Sequence, residues 1–214
     1  MQKKEHIKAS EPTLKRLPIY LHYLHRVVEK GVLNISAPFI AQELKFDPTQ
    51  VVKDLSVTGI KGRPRIGYNT YELVKYIEEY LDFDKGNEAF LFGAGNLGSA
   101  LLAYPALKSF GIKIVAAFDV SPDVVGSQRG NINVLHIDKC KELAQKLGIK
   151  IGILTTPASA AQKTAEIMAD CGIAGIWNLT PVSLNLPENV IVQNTSMYSN
   201  VAVLLRKMKD SKES

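Results

Sequence analysis

The nine residues Phe90-Leu-Phe-Gly-Ala-Gly-Asn-Leu-Gly98 constrain this chain more than any others. In them an apolar strand runs straight into Gly93-x-Gly95-x-x-Gly98. Each glycine suits a separate task. Gly93 permits a tight turn, Gly95 has no Cβ and lets backbone approach a phosphate, and Gly98 lets the next helix pack close on the strand. Leu97 to Phe110 has helical periodicity, and a second apolar strand, Ile112 to Phe118, ends at Asp119. An acidic residue about 20 positions past the glycines is placed to bond ribose hydroxyls and to repel a 2′-phosphate. The pattern predicts a Rossmann dinucleotide-binding domain holding NAD+ or NADH. Gly93, Ala94, Gly95, Asn96, Leu97, Gly98 and Asp119 would face the cofactor. A glycine turn that binds nothing is the plainer alternative.

The rest of this half alternates strand and helix. Strands are expected near 88–92, 112–118, 150–154, 174–177 and 190–193, with helices near 96–109, 138–147 and 157–171. Such alternation predicts a parallel, doubly wound sheet. Ligands of such sheets sit beyond the carboxyl ends of the strands. Thr155, Thr156 and Pro157 close one strand and Asn178 closes the next, so both loops are expected at the nucleotide. A last amphipathic helix, Ser199 to Met208, has a face too apolar to leave in water.

The first third differs. From Met1 to Tyr68 twelve Lys/Arg face six Asp/Glu, whereas the remainder has fourteen against fifteen. The basic excess lies wholly in the N-terminal segment, which suggests a polyanionic partner, against a merely solvated basic face. Thr13–Lys30 shows an apolar stripe at helical spacing, Ser36 caps a short helix to Leu44, and Asp47-Pro48 opens a third helix to Val57. Thr58 to Tyr68, with its glycines, proline and three cations, suits a basic hairpin. That order is a winged helix-turn-helix, whose third helix enters the major groove of duplex DNA. Gln50, Lys53 and Asp54 share a face by spacing, with Val51, Val52 and Leu55 as apolar cover. Lys61, Arg63 and Arg65 alternate along the hairpin and so point to one side.

The expected division is a winged-helix DNA-binding domain at 1–84, a Rossmann domain at 85–194 and a C-terminal helix and tail at 195–214. No apolar run is long enough to span a membrane and no apolar signal region opens the chain, so a cytoplasmic location is expected. Cys140 and Cys171 lack metal-ligand spacing and read as free thiols in a reducing compartment.

Taken together, the segments resemble the bacterial Rex family of redox-sensing transcriptional repressors. The resemblance rests on Arg16-Leu-Pro-Ile-Tyr-Leu-His-Tyr-Leu24, Gln50-Val-Val-Lys-Asp-Leu-Ser56, Gly67-Tyr-Asn69, Gly93 to Pro105, Val115-Ala-Ala-Phe-Asp119, Pro157-Ala-Ser-Ala-Ala161 and Asn178-Leu-Thr-Pro-Val182. It implies a homodimer with a domain-swapped C-terminal helix, operator binding with NAD+ and release with NADH. It adds Arg16 and Ser56 to the DNA-binding residues Gln50, Lys53, Lys61, Arg63 and Arg65, and it adds Tyr104 and Met197 to the cofactor site. Three positions depart from the family pattern. Val52 stands where arginine is usual, Arg63-Pro64-Arg65 replaces the commoner Thr-Arg-Gly, and Ser196 replaces an aspartate that pairs with the tyrosine at 104 in many members.

Two other readings stay open at this point. One is a family paralogue that binds NAD(H) but DNA weakly, because of Val52. The other is a small NAD-dependent dehydrogenase. The four histidines, His6, His22, His25 and His136, show no pairing that marks a catalytic acid or base, and no residues remain for a substrate domain.

Overall fold

The computed structural model describes residues 8–211. The chain divides into two compact units, Met1–Gly86 and Asn87–Ser214.

In the first unit, helices α1 (Glu11–Glu29), α2 (Ala37–Leu44), α3 (Pro48–Ser56) and α4 (Thr70–Tyr80) surround one core. Each starts where a short polar side chain accepts a backbone N–H: Ser10, Ser36, Asp47 and Asn69 all cap in this way. Leu17, Tyr20, Leu24, Ile40, Val51, Leu55, Leu73 and Ile77 fill the middle and are buried. A two-residue ladder, β1 (Asn34–Ile35) against β2 (Tyr68–Asn69), ties the entry of α2 to that of α4.

Between α3 and β2 the expected long hairpin is a tight turn instead. A single antiparallel bridge joins Arg63 to Gly67, with residues 64–66 turning between them. Arg65 has φ +64°, so the chain reverses at that residue and the alternation expected of Lys61, Arg63 and Arg65 ends there.

The second unit is a seven-stranded sheet in the order β5-β6-β4-β3-β7-β8-β9. The strands are β3 (Asn87–Phe92), β4 (Ile112–Asp119), β5 (Gln128–Arg129), β6 (Ile132–His136), β7 (Ile151–Leu154), β8 (Gly175–Asn178) and β9 (Ile191–Asn194). All pairs are parallel except β5 with β6. The helices are α5 (Asn96–Leu102), α6 (Cys140–Leu147), α7 (Ala158–Asp170) and α8 (Met197–Asp210). Phe118 stacks on Phe92 and meets Phe90 edge to face in the core beneath α6 and α7, where Cys140 and Cys171 are also buried, both free.

Two local readings change. The helix expected over 96–109 stops at Leu102 and becomes a 3-10 helix over Pro105–Phe110, because Pro105 has no N–H to continue the ladder. The β5–β6 hairpin was not expected, although Gly130-Asn131 between two extended pairs is a hairpin signature.

Candidate nucleotide cleft and DNA-facing helix

Strand order locates the first site. The chain leaves β3 for β4 and β6 on one side and returns to β7 on the other. The carboxyl end of β3 is therefore the switch point, where adjacent loops diverge and leave a crevice. A cleft of about 710 Å³ opens there, lined by Gly93, Gly95, Asn96, Leu97, Asp119, Thr155, Thr156 and Pro157, with others from the loops after β4 and β8.

The three glycines are used differently. Gly93 has φ +97°, and a Cβ there would come within 2.8 Å of the Thr156 nitrogen. A Cβ on buried Gly98 would fall 2.0 Å from the Gly93 carbonyl oxygen. A Cβ on Gly95 would meet nothing within 4 Å. Gly93 and Gly98 are thus required by the protein's own packing, whereas the space beside Gly95 belongs to the cleft.

Asp119 fastens this loop to β4. Its Oδ2 accepts from the Ala94 N–H at 2.7 Å, and its Oδ1 from Val120 and Ser121 at 2.8 and 2.9 Å. The Ala94 N–H is committed to that bond and its side chain is buried, so Ala94 shapes the loop rather than lining the cleft. The Thr155 hydroxyl lies 2.7 Å from the Gly93 carbonyl and 3.0 Å from that of Phe92, stitching β7 to the same turn. The Thr156 hydroxyl is buried and has no hydrogen-bond partner among the described residues. Such a group normally has one, so a polar ligand atom would complete it.

Two more expected cofactor residues, Asn178 and Tyr104, are absent from the cleft lining. Asn178 is fully buried; its Nδ2 donates to the Val182 carbonyl and to Asn194 Oδ1, while its Oδ1 accepts from the Thr180 N–H and hydroxyl. It holds the loop whose Leu179, Thr180 and Pro181 line the cleft. The loop was legible, but the amide turns inward to satisfy backbone. Tyr104 is half exposed, in the turn that ends α5, and lines a separate groove with Leu101, Pro105 and Ile132. Met197 opens α8, and its side chain lies outside the described residues. Residues missed by the sequence reading include Val120, Ser121, Val124 and Ile137, together with Tyr198. The first two follow Asp119 directly and could have been found by the carboxyl-end rule; no local signal marks Tyr198.

In the first unit the face expected for DNA is rotated. Asp54 points inward and its side chain is wholly buried. It accepts five hydrogen bonds: Arg16 Nε at 2.6 Å and Nη2 at 2.9 Å, Tyr20 Oη at 2.8 Å, Gln50 Nε2 at 2.9 Å and Thr13 Oγ1 at 3.0 Å. Burial alone would raise its pKa, but the bonds from Arg16, Tyr20, Gln50 and Thr13 outweigh it and hold the carboxyl below its usual value. Arg16 and Gln50 are therefore committed to Asp54 rather than turned to a partner. The exposed stripe of α3 is Thr49, Val52, Lys53 and Ser56, spaced three, one and three residues apart. Val52 belongs to that stripe and not to the apolar cover. The Ser56 hydroxyl donates to the Lys53 carbonyl at 2.7 Å. Lys61, Arg63 and Arg65 are exposed.

Known proteins share this arrangement. Residues 8–56 match the family model "Putative DNA-binding protein N-terminus", and residues 84–182 match "CoA binding domain". The redox-sensing transcriptional repressor Rex of Bacteroides fragilis is 41% identical over 208 residues, covering 97% of this chain and 94% of the relative. That of Porphyromonas gingivalis is 44% identical over 202 residues, covering 94% and 93%. The chain belongs to the Rex family.

Rex proteins are transcriptional repressors rather than enzymes, and the dehydrogenase reading is set aside. Among solved structures, the Rex-family repressor RSP in complex with β-NAD+ and operator DNA superposes with a TM-score of 0.89 at 28% identity, over 96% of this chain and 95% of that one. RSP with β-NADH gives 0.85, again at 28% identity, over 96% and 97%. Two of the departures from the Rex pattern now have structural settings. Val52 is solvent-facing, and Ser196 caps α8 by accepting from the Ser199 N–H at 3.1 Å.

Proposed function

We propose that this Rex protein reads the NADH/NAD+ balance through the cleft beyond β3 and transmits it to duplex operator DNA held by α3 and the Arg63–Gly67 turn. One observation carries the reading. The cleft has free space beside Gly95 and is also lined by Thr156, whose buried hydroxyl has no partner among the described residues; together these suit a pyrophosphate. Gly95, Asn96, Leu97 and Thr156 would hold the diphosphate, and the carboxylate of Asp119 the adenosine ribose. Thr155 and Pro157, with Thr180 and Tyr198, form the remaining wall. When bound, the oxidised nicotinamide carries a positive ring and the reduced one a neutral ring.

Coupling to DNA requires the two redox forms to favour different arrangements of the protein, since a ligand shifts an equilibrium only by its differential affinity. We assign that rearrangement to a homodimer. On α8 Val201, Leu204, Leu205 and Met208 share one face by spacing and are each more than half exposed, a stripe that needs a surface to cover. A partner subunit would supply it, with the C-terminal segment 195–214 as the crossing element. The location that brings the nucleotide pool and DNA together is the cytoplasm.

The test is fluorescence anisotropy of a labelled duplex selected by the protein from a random pool, read with NAD+ and with NADH. Binding with NAD+ and release with NADH is the expected result. Equal binding in the two states would overturn the redox assignment, and enrichment of no duplex would favour a paralogue that senses nucleotide without holding DNA.

A further inference from the structure

The outward stripe of α3 carries a single cation, Lys53, and beside it an aliphatic side chain, Val52, 46% exposed. Across a notch of about 400 Å³ lies a second exposed aliphatic residue, Ile66, 52% exposed, with Arg63 and Arg65 on the same wall. A lone exposed valine needs no explanation. Two aliphatic residues in one notch, rimmed by arginines that attract phosphate, make an apolar reading head inside a basic surface. Valine has neither donor nor acceptor, so the C5-methyl group of thymine is the one base feature in the major groove that it can recognise.

We propose that Val52 reads a thymine methyl group, so that this protein's operator holds thymine at a position where a charged reader would select guanine. The inference rests on the DNA-binding reading above. Lys53 and the turn arginines supply the sequence-independent phosphate attraction, and Val52 adds discrimination at one base pair of each half-site. Ile66 closes the far side of the notch and keeps water from the methyl group.

The full-length protein is first used to select duplexes from a random pool, and the selected duplex is remade with each dT replaced in turn by dU. That change removes one methyl group and leaves pairing intact. At one position per half-site the affinity should fall about fourfold, the worth of one buried methyl group. Val52→Ala should lose about the same factor on the unmodified duplex, and nothing further when dU is present, as expected of two groups that touch. Val52→Thr, which keeps one of the two γ-methyl groups that alanine lacks, should retain sensitivity to dU. Val52→Arg should select duplexes with guanine at that position, through its bidentate bonds to the base. The proposal is overturned if no dU substitution weakens the wild type, or if Val52→Ala remains equally sensitive at the same position. Enrichment of no duplex would instead remove the DNA-binding reading, and this inference with it.

Discussion

Arg16 on α1 and Asp54 on α3 form a two-point ion pair, 2.6 and 2.9 Å, across 38 residues of sequence, with the carboxylate wholly buried. The pair locks the helix that carries the exposed Val52–Lys53 stripe onto the helix behind it. Removing one partner leaves a buried charge without compensation, which generally costs about 3 kcal/mol. Arg16→Ala should therefore destabilise the N-terminal unit by about that amount in denaturant unfolding, whereas removing an exposed ion pair would cost well under about 1 kcal/mol. The pH dependence follows from the lowered pKa of Asp54. A depressed carboxylate contributes stability that is present above its unfolded value and is lost as pH falls through the folded one. The stability gap between wild type and Asp54→Asn should thus be full at neutral pH and shrink below about pH 4. A gap that widens on acidification would contradict this account.

Gly95→Ala and Gly98→Ala should fail in different ways. The added methyl at 98 meets the Gly93 carbonyl at 2.0 Å, so that variant should lose stability before any ligand is added. The methyl at 95 meets no protein atom within 4 Å. That variant should melt within a few degrees of wild type yet bind NAD+ and NADH at least tenfold more weakly, because the methyl occupies ligand space. Thermal melts with calorimetric titration separate the two, and unimpaired nucleotide binding by Gly95→Ala would show that phosphate lies elsewhere.

Asp119 should make the protein prefer NAD(H) over NADP(H). Its carboxylate is fixed by three backbone N–H groups at the rim of the cleft, where a 2′-phosphate would bring like charge. Calorimetry with the four nucleotides should give a preference of at least tenfold, and tighter NADP(H) binding would remove Asp119 from the ribose site.

The turn arginines should act through phosphate. Replacing both Arg63 and Arg65 with alanine should reduce the slope of log K against log salt by roughly one unit for each phosphate that is no longer neutralised. An unchanged slope and affinity would show that this turn stands clear of DNA.

Truncation after Asn194 removes α8. If its exposed aliphatic stripe packs against a second subunit, light scattering should find monomers or aggregates, and NADH should no longer alter DNA binding. A truncated protein that stays dimeric and still responds would place the coupling in another part of the chain.

Much of this protein was legible before its fold was known, because the relevant signals are local. Helical periodicity, the caps at Ser36 and Asp47, and a glycine turn between strand and helix each operate within a few residues, so most helices, five of the seven strands of the sheet and the position of the cleft follow from the sequence, whereas the short β5–β6 pair does not. Direction of facing is not local. Spacing put Gln50, Lys53 and Asp54 on one side of α3, but only the approach of α1 decided that the carboxylate turns inward and takes Gln50 and Arg16 with it, leaving Val52 in the open. In the same way Asn178 is drawn from the cleft by Val182 and Asn194, and Tyr104 is set apart by Pro105. A buried polar group must find partners wherever the chain brings them, and those partners are tens of residues away or around a turn that periodicity does not encode.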